Sequence, residues 1–243
     1  DVYNNVHMGN TGETVAKEHG ISREDADSFS VRSHTRAAQA WDNGWFDWEV
    51  VPVSVPQRRK DPILIEKDEG FRADIGMESL GKLRAAFDTE GQVTAGNASQ
   101  ISDGAAAVLV ADRALAEEQG WEIICTIVDQ VTSGLKPAKV MSAPIPAIQM
   151  LLKRNDLVVD DIDLYEHNEA FAAASCSVAK AIGISDDKFN VHGGAVALGH
   201  PLGASGTRCL ISMIGAMRRL ELNSGIVTLC LGGGNAVAML IQI

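Results

Sequence analysis

The end of the chain constrains its fold most. Two apolar runs, Ile226–Leu229 and Val237–Ile241, flank a segment that includes Gly232-Gly233-Gly234-Asn235. Apolar runs this short, bounded by glycine, read as buried strands, and the glycine-rich link turns one back on the other as a hairpin. Upstream, strand-like and helix-like stretches alternate. Ile162 to Glu166 reads as a strand, a helix follows Asn168-Glu169-Ala170-Phe171, and another opens near Ala204. Pro144 or Pro146 suits the first turn of a helix reaching Arg154, where proline's missing N–H breaks no bond. Strands alternating with helices predict an α/β architecture with both faces of the sheet covered.

The first part of the chain is less regular. Thr11 is expected to cap a short helix through His19, stopped by Gly20. Ser22 with Asp25 reads as a capping box ahead of a helix to about Trp41. Within it Ala26, Phe29, Ser33, Ala37 and Ala40 recur at three and four residues, which predicts one buried stripe. Glu49 to Val55 alternates like a strand, and Gln57 to Asp74, charged and proline-containing, reads as a solvated excursion. Gly104 to Ala111 is a small-residue apolar run, followed by a helix from Arg113 and an apolar strand from Ile123 to Val128.

Composition narrows the function. A hydrophobic fraction of 46% over 243 residues suffices for a real core. A net charge of -11 argues against nucleic-acid binding. No run of eighteen apolar residues appears, so no membrane span is expected. Cys125, Cys176, Cys209 and Cys230 follow neither a CxxC nor a zinc spacing, so they read as reduced thiols of a cytoplasmic protein with no metal site. No GxxxxGK[ST] loop is present, which excludes the usual route to nucleotide hydrolysis.

Three segments carry chemistry. In the first, Gly193 to Gly206, His200 stands before Pro201 in a glycine-rich loop that opens a helix. Proline stiffens the backbone and glycines admit close approach, which is how a general base is presented. Asn168 and Cys230 supply an amide and a thiol at the ends of their elements. Read singly, each has a plainer explanation. His200 suits a structural loop, Asn168 a helix cap, Cys230 a small core residue, and Gly232 a turn.

Taken together, Asn-Glu-Ala-Phe, Gly-His-Pro and Cys-x-Gly, in that order and about thirty residues apart, resemble the thiolase family of acyl-CoA acyltransferases. Met8-Gly9-Asn10-Thr11-Gly12-Glu13, Ile21-Ser22-Arg23 and Val93 to Ser99 are similar too, so the resemblance covers nearly the whole chain. It implies a layered αβαβα thiolase-like fold, of which this chain is the C-terminal half with most of an inserted loop domain. Residues 1–100 would be that CoA-binding loop domain, 101–122 a segment returning to an N-terminal half, and 123–243 the C-terminal domain. The run Gly104–Ala111 would then be a strand whose neighbours lie outside these residues.

The implied reaction is thiolytic cleavage of a 3-oxoacyl-CoA, or the reverse Claisen condensation of acyl-CoAs, in lipid metabolism. Coenzyme A is a substrate, and no other cofactor is implied. A thiolase carries its nucleophilic cysteine in a Cys-x-Ser context ahead of the Met8-Gly9 block, and all four cysteines here lie downstream of it. The resemblance therefore implies that the nucleophile is supplied by another chain or is lost, and that the protein is a homo- or hetero-oligomer. The cytoplasm is the expected compartment, with mitochondrion and peroxisome left open because the resemblance puts the N-terminal half outside this chain.

By the same resemblance His200 takes the proton of that cysteine, and Cys230, a thiol expected to have a lowered pKa, is the second acid/base. The Gly232 N–H would be an oxyanion donor, and Asn168 would hold a water at a second oxyanion site. His7 and Met8 would lie beside pantetheine, Ser99 would bond it, and Phe87, Ala95, Ala98 and Phe171 would line the tunnel. Met141 would border the acyl pocket, and Arg72 would sit near the nucleotide phosphates unless it is an ordinary exposed arginine.

Several positions depart from the family pattern: Gln100, Ser142-Ala143, His192 and Asn235-Ala236. The alternative of another class is a non-catalytic thiolase-like subunit that binds acyl-CoA or scaffolds a partner. A ketoacyl synthase fits less well, since those enzymes use histidines and lack the Cys-x-Gly-Gly-Gly ending.

Overall fold

Two helices open the chain. In the computed structural model, which describes residues 1–243, α1 spans Met8–His19 and α2 spans Arg23–Asp42. The cap of α1 is His7 rather than Thr11: the His7 Nδ1 accepts from the Gly9 N–H at 3.1 Å. Thr11 instead lies one turn in, where its hydroxyl donates to the Met8 carbonyl at 2.6 Å. Gly20 ends the helix in the left-handed conformation, φ 60°, as expected of glycine there. The Ser22–Asp25 capping box forms, and Ala26, Phe29, Ser33, Ala37 and Ala40 are all buried.

The next eighty residues hold little regular structure. Strands β1 (Val53–Val55) and β2 (Ile63–Ile65) pair antiparallel as an exposed ribbon. The strand expected from Glu49 starts late because the Glu49 and Val50 amides turn back to the Phe46 carbonyl, both at 3.0 Å. The expected excursion beyond Gln57 contains β2. Helices α3 (Met77–Gly81) and α4 (Arg113–Glu118) are short. Residues 104–111 form no ladder, since no strand lies beside them, and Leu109 and Val110 are exposed.

From Thr126 onward the chain is regular: β3 (Thr126–Gly134), a 3-10 turn at Pro137–Ser142, α5 (Pro144–Arg154), β4 (Leu164–His167), α6 (Ala172–Ile182), α7 (Ala195–Leu198), α8 (Ser205–Leu220), β5 (Ser224–Leu231) and β6 (Asn235–Gln242). The sheet runs β3-β6-β5-β4; β5 pairs antiparallel with β6 and parallel with β4. The strand expected from Ile123 begins at Thr126, opposite Gln242, where β6 ends and no further partner is offered.

Alternation along each strand divides the core. Tyr165, Ile226 and Leu240 face α5, α6 and the first two helices, whereas Leu164, Val227 and Ile241 face α8. The sheet is thus the middle of an α/β/α sandwich. Because β4 and β5 run parallel, their C-terminal ends bring Asn168 and Cys230 to the same edge. No helix is long and apolar enough to cross a membrane.

Candidate active site

Asn168 is the residue after β4, and its own N–H continues the ladder to the Thr228 carbonyl at 3.1 Å. It does not cap α6, whose cap position is Phe171 with no side-chain bond. The Asn168 side chain instead approaches the imidazole, with Nδ2 3.4 Å from the His200 Nε2.

His200 is set by the loop around it. Gly199 has φ 98°, and a Cβ there would stand 2.0 Å from the Ser102 Oγ, so only glycine fits. The His200 N–H donates to the Gln100 carbonyl at 3.0 Å. The ring Nδ1 is 2.6 Å from the Ser205 Oγ, and that hydroxyl lies 3.0 Å from the Pro201 carbonyl, to which it donates. With the Ser205 hydrogen so used, its oxygen accepts from Nδ1–H, and Nε2 is left bare. Burial, then the Arg208 charge, lowers the His200 pKa from its ordinary value and keeps the ring neutral.

Glu169 fixes the rest of the loop. Fully buried, it accepts from the Ser33 hydroxyl at 2.6 Å, the Asn190 amide at 2.9 Å and the Val196 N–H at 3.1 Å. Ser33 in turn accepts from the Gly194 N–H, tying α2 to α7. Behind Asn168, Glu166 accepts from Arg208 at 3.0 Å. Burial opposes the Arg208 charge, but Cys209, Glu166 and Glu169 outweigh it and raise its pKa.

Cys230 leaves the neighbouring strand at the same edge of the sheet, two residues past Thr228. Its sulfur lies 3.7 Å from the Met141 Sδ, and no hydrogen bond joins it to His200 or Asn168. The expectation of a readily ionised thiol is overturned: burial pushes its pKa up to about 11, because no cation offsets the desolvation. Gly232 shares a hollow of about 220 Å³ with Tyr3, Met8 and Val140.

The residues expected to line a CoA tunnel fall into one strip. His7 stacks on Phe87 at 4.6 Å between ring centroids, and Phe87 meets Phe171 edge-on at 6.2 Å. Ala98 bridges Phe171, and the Ser99 N–H donates to the Ala170 carbonyl at 3.0 Å. Met8 is half-buried against the same cluster, while Ala95 is exposed. Arg72 stands apart: it is exposed, and its N–H donates to the His34 ring at 3.0 Å.

Two departures from the family pattern have local roles. The Gln100 side chain donates to the Gly70, Val196 and Ala197 carbonyls, at 2.8, 3.3 and 3.2 Å. Ser142 meets the His19 Nε2 at 3.1 Å, joining the 3-10 turn to α1. Sequence reasoning missed Ser205, Arg208, Glu166 and Glu169. Ser205, one helical turn beyond Pro201, and Glu169, inside the Asn-Glu-Ala-Phe motif, left readable signals.

Comparison with known proteins decides the family. Residues 1–114 match the model of the thiolase N-terminal domain, and residues 121–243 that of the thiolase C-terminal domain. The chain belongs to the thiolase family. It is 45% identical over 242 residues to a probable acetyl-CoA acyltransferase of Staphylococcus aureus, covering 100% of this chain and 61% of that protein. The chain thus spans about three fifths of the length of the curated relatives it matches.

Solved thiolase structures agree. A Bacillus anthracis acetyl-CoA acetyltransferase superposes with a TM-score of 0.95 at 40% identity, over 98% of this chain and 60% of that one. Human mitochondrial 3-ketoacyl-CoA thiolase gives 0.95 at 37% identity, over 100% of this chain and 61% of that one. In complex with CoA, the human enzyme gives a TM-score of 0.94. The fold is therefore the thiolase fold.

Proposed function

We propose that this chain forms part of an acyl-CoA acyltransferase that cleaves 3-oxoacyl-CoA with CoA, or runs the reverse condensation. The observation that carries the reading is the bare Nε2 of a neutral His200, with Nδ1–H spent on Ser205. Such a nitrogen takes the proton of a nucleophilic thiol, and afterwards, as N–H, it donates to a developing oxyanion.

In this reading a thiolate from outside these 243 residues attacks the C3 carbonyl. The C2–C3 bond breaks, and the electron pair at C2 takes the Cys230 proton, releasing the two-carbon acyl-CoA while the shortened acyl group stays on the enzyme sulfur. The Cys230 thiolate then accepts the proton of incoming CoA, whose sulfur displaces the enzyme thiol from the acyl group. A thiol with a pKa near 11 is protonated at neutral pH and ready for the first of these transfers. Asn168 positions the oxyanion water, and the Gly232 N–H is a second donor.

The aromatic strip His7, Phe87 and Phe171, with Met8, Ala98 and Ser99, lines the pantetheine path. Ala95 sits at its mouth, Met141 beside the acyl group, and Arg72 near the nucleotide phosphates. The exposed apolar side chains of Val108, Leu109, Val110, Trp121 and Ile124 support a covering by the segment or subunit that brings the nucleophile. In this reading residues 1–100 are a loop domain, 101–122 the return segment and 123–243 the C-terminal domain.

The test is acetoacetyl-CoA thiolysis by this chain alone and after assembly with a polypeptide carrying the thiolase nucleophile. Activity should appear only in the assembly and disappear with His200→Ala. A fully assembled but inert complex that still binds CoA would instead support the non-catalytic, acyl-CoA-binding reading.

A further inference from the structure

An asparagine amide has two ends of nearly the same shape, and which end faces His200 matters. Nδ2 can donate to a bare Nε2, whereas Oδ1 there would favour a protonated ring. Steric fit alone does not choose between the two.

Beside Asn168 lies Cys209, on the first turns of α8 and fully buried. The Cys209 sulfur is 3.9 Å from the Asn168 Oδ1 and 2.9 Å from the Arg208 Nη2. Arg208 is a donor only, so the sulfur accepts from it, and the S–H is left to donate to Oδ1. Arg208 is itself held by Glu166 at 3.0 Å. Burial pushes the Cys209 thiol up to about 12, so the hydrogen stays in place at neutral pH.

We infer that Cys209 is a positioning residue: oriented by Arg208, its thiol fixes the Asn168 amide with Oδ1 inward and Nδ2 toward His200. The chain Glu166–Arg208–Cys209–Asn168–His200 would then set the protonation of the imidazole from behind. The inference rests on reading His200 as a base, but its test needs no turnover, so failure of the acyltransferase reading would leave it intact.

The experiment is an NMR titration of the His200 ring in the full chain, for wild type, Cys209→Val, Cys209→Ala and Cys209→Ser. The groups facing the ring are Arg208 and Ser205 from α8 and Asn168 from the end of β4, with Glu166 and Glu169 behind Arg208. All of these persist in every variant. Valine and alanine remove the thiol donor and release the amide to turn, so the His200 pKa should rise by on the order of one pH unit. Serine keeps a donor and should restore the wild-type value. Alanine serves alone if valine prevents folding. Unchanged titration in the valine and alanine variants would overturn the inference, as would a serine variant that shifts as far as they do.

Discussion

Residues 126–243 and residues 43–125 make different use of the same apolar alphabet. In the later region Leu151, Ile148, Ile226 and Ile241 are fully buried between sheet and helices. In the earlier one Val53, Ile63, Leu64 and Leu109 stand in solvent. The acid/base candidates His200 and Cys230, with Asn168 beside them, all sit on the packed region. Arg72, Phe87, Ala95, Ala98 and Ser99, which would meet substrate, sit on the loose one. Proton transfer needs fixed distances, whereas binding a long flexible ligand tolerates adjustable walls.

Core truncation should sharpen this contrast most. Leu151→Ala should cost about 3 kcal/mol in denaturant unfolding, because it leaves a cavity that the sandwich cannot fill. Ile63→Ala, on the exposed ribbon, should stay within about 0.5 kcal/mol. Equal losses at the two sites would break the comparison.

Backbone strain comes next. Gly199→Ala puts a Cβ into the Ser102 hydroxyl at φ 98° and should cost about 2 kcal/mol. Gly203→Ala, four residues on, meets nothing within 4 Å and should be neutral in the same unfolding measurement. A neutral Gly199→Ala would mean that the loop before His200 is not held as described.

Acid should weaken the packed elements through their buried imidazoles. Burial lowers the His167 pKa to about 3 and, with the Arg219 charge, that of His192 to about 4. Both folded values lie below the ordinary 6.5, so the unfolded state binds more protons in between. The contribution of these two rings is therefore full above about pH 6.5 and falls as the pH drops toward 3–4. Replacing them (His167→Gln, His192→Gln) should reduce this acid dependence of the melting temperature, and an unchanged pH profile would contradict the burial of these rings. A subtler difference should appear in amide exchange, fast over residues 104–111 and slow over Ile226–Leu229.

Much of the regular structure is legible in the sequence. The hairpin, the Pro144 helix start and the capping box at Ser22 are local signals that need no tertiary context. The start of β3 is not legible, because it depends on where β6 stops. Nor is the cap of α1, which a histidine nitrogen provides in place of the expected threonine. At the site, the Asn, His and Cys motifs announce themselves. Of the buried partners that govern them, Glu169 sits within its motif, but Arg208 and Cys209 are distant in sequence from Asn168. The raised Cys230 pKa escapes the sequence for a related reason, since glycine neighbours say nothing of how deeply a thiol is buried.

In the proposed mechanism the Cys230 sulfur and the His200 ring serve one hollow at the edge shared by β4 and β5. Placing a carboxylate at the sulfur's position with Cys230→Asp, and titrating His200 by NMR, tests this directly. A shared hollow predicts a clear rise in the His200 pKa, on the order of one pH unit, because a nearby anion stabilises imidazolium. A His200 titration identical to wild type, in a variant that keeps its fold, would contradict it.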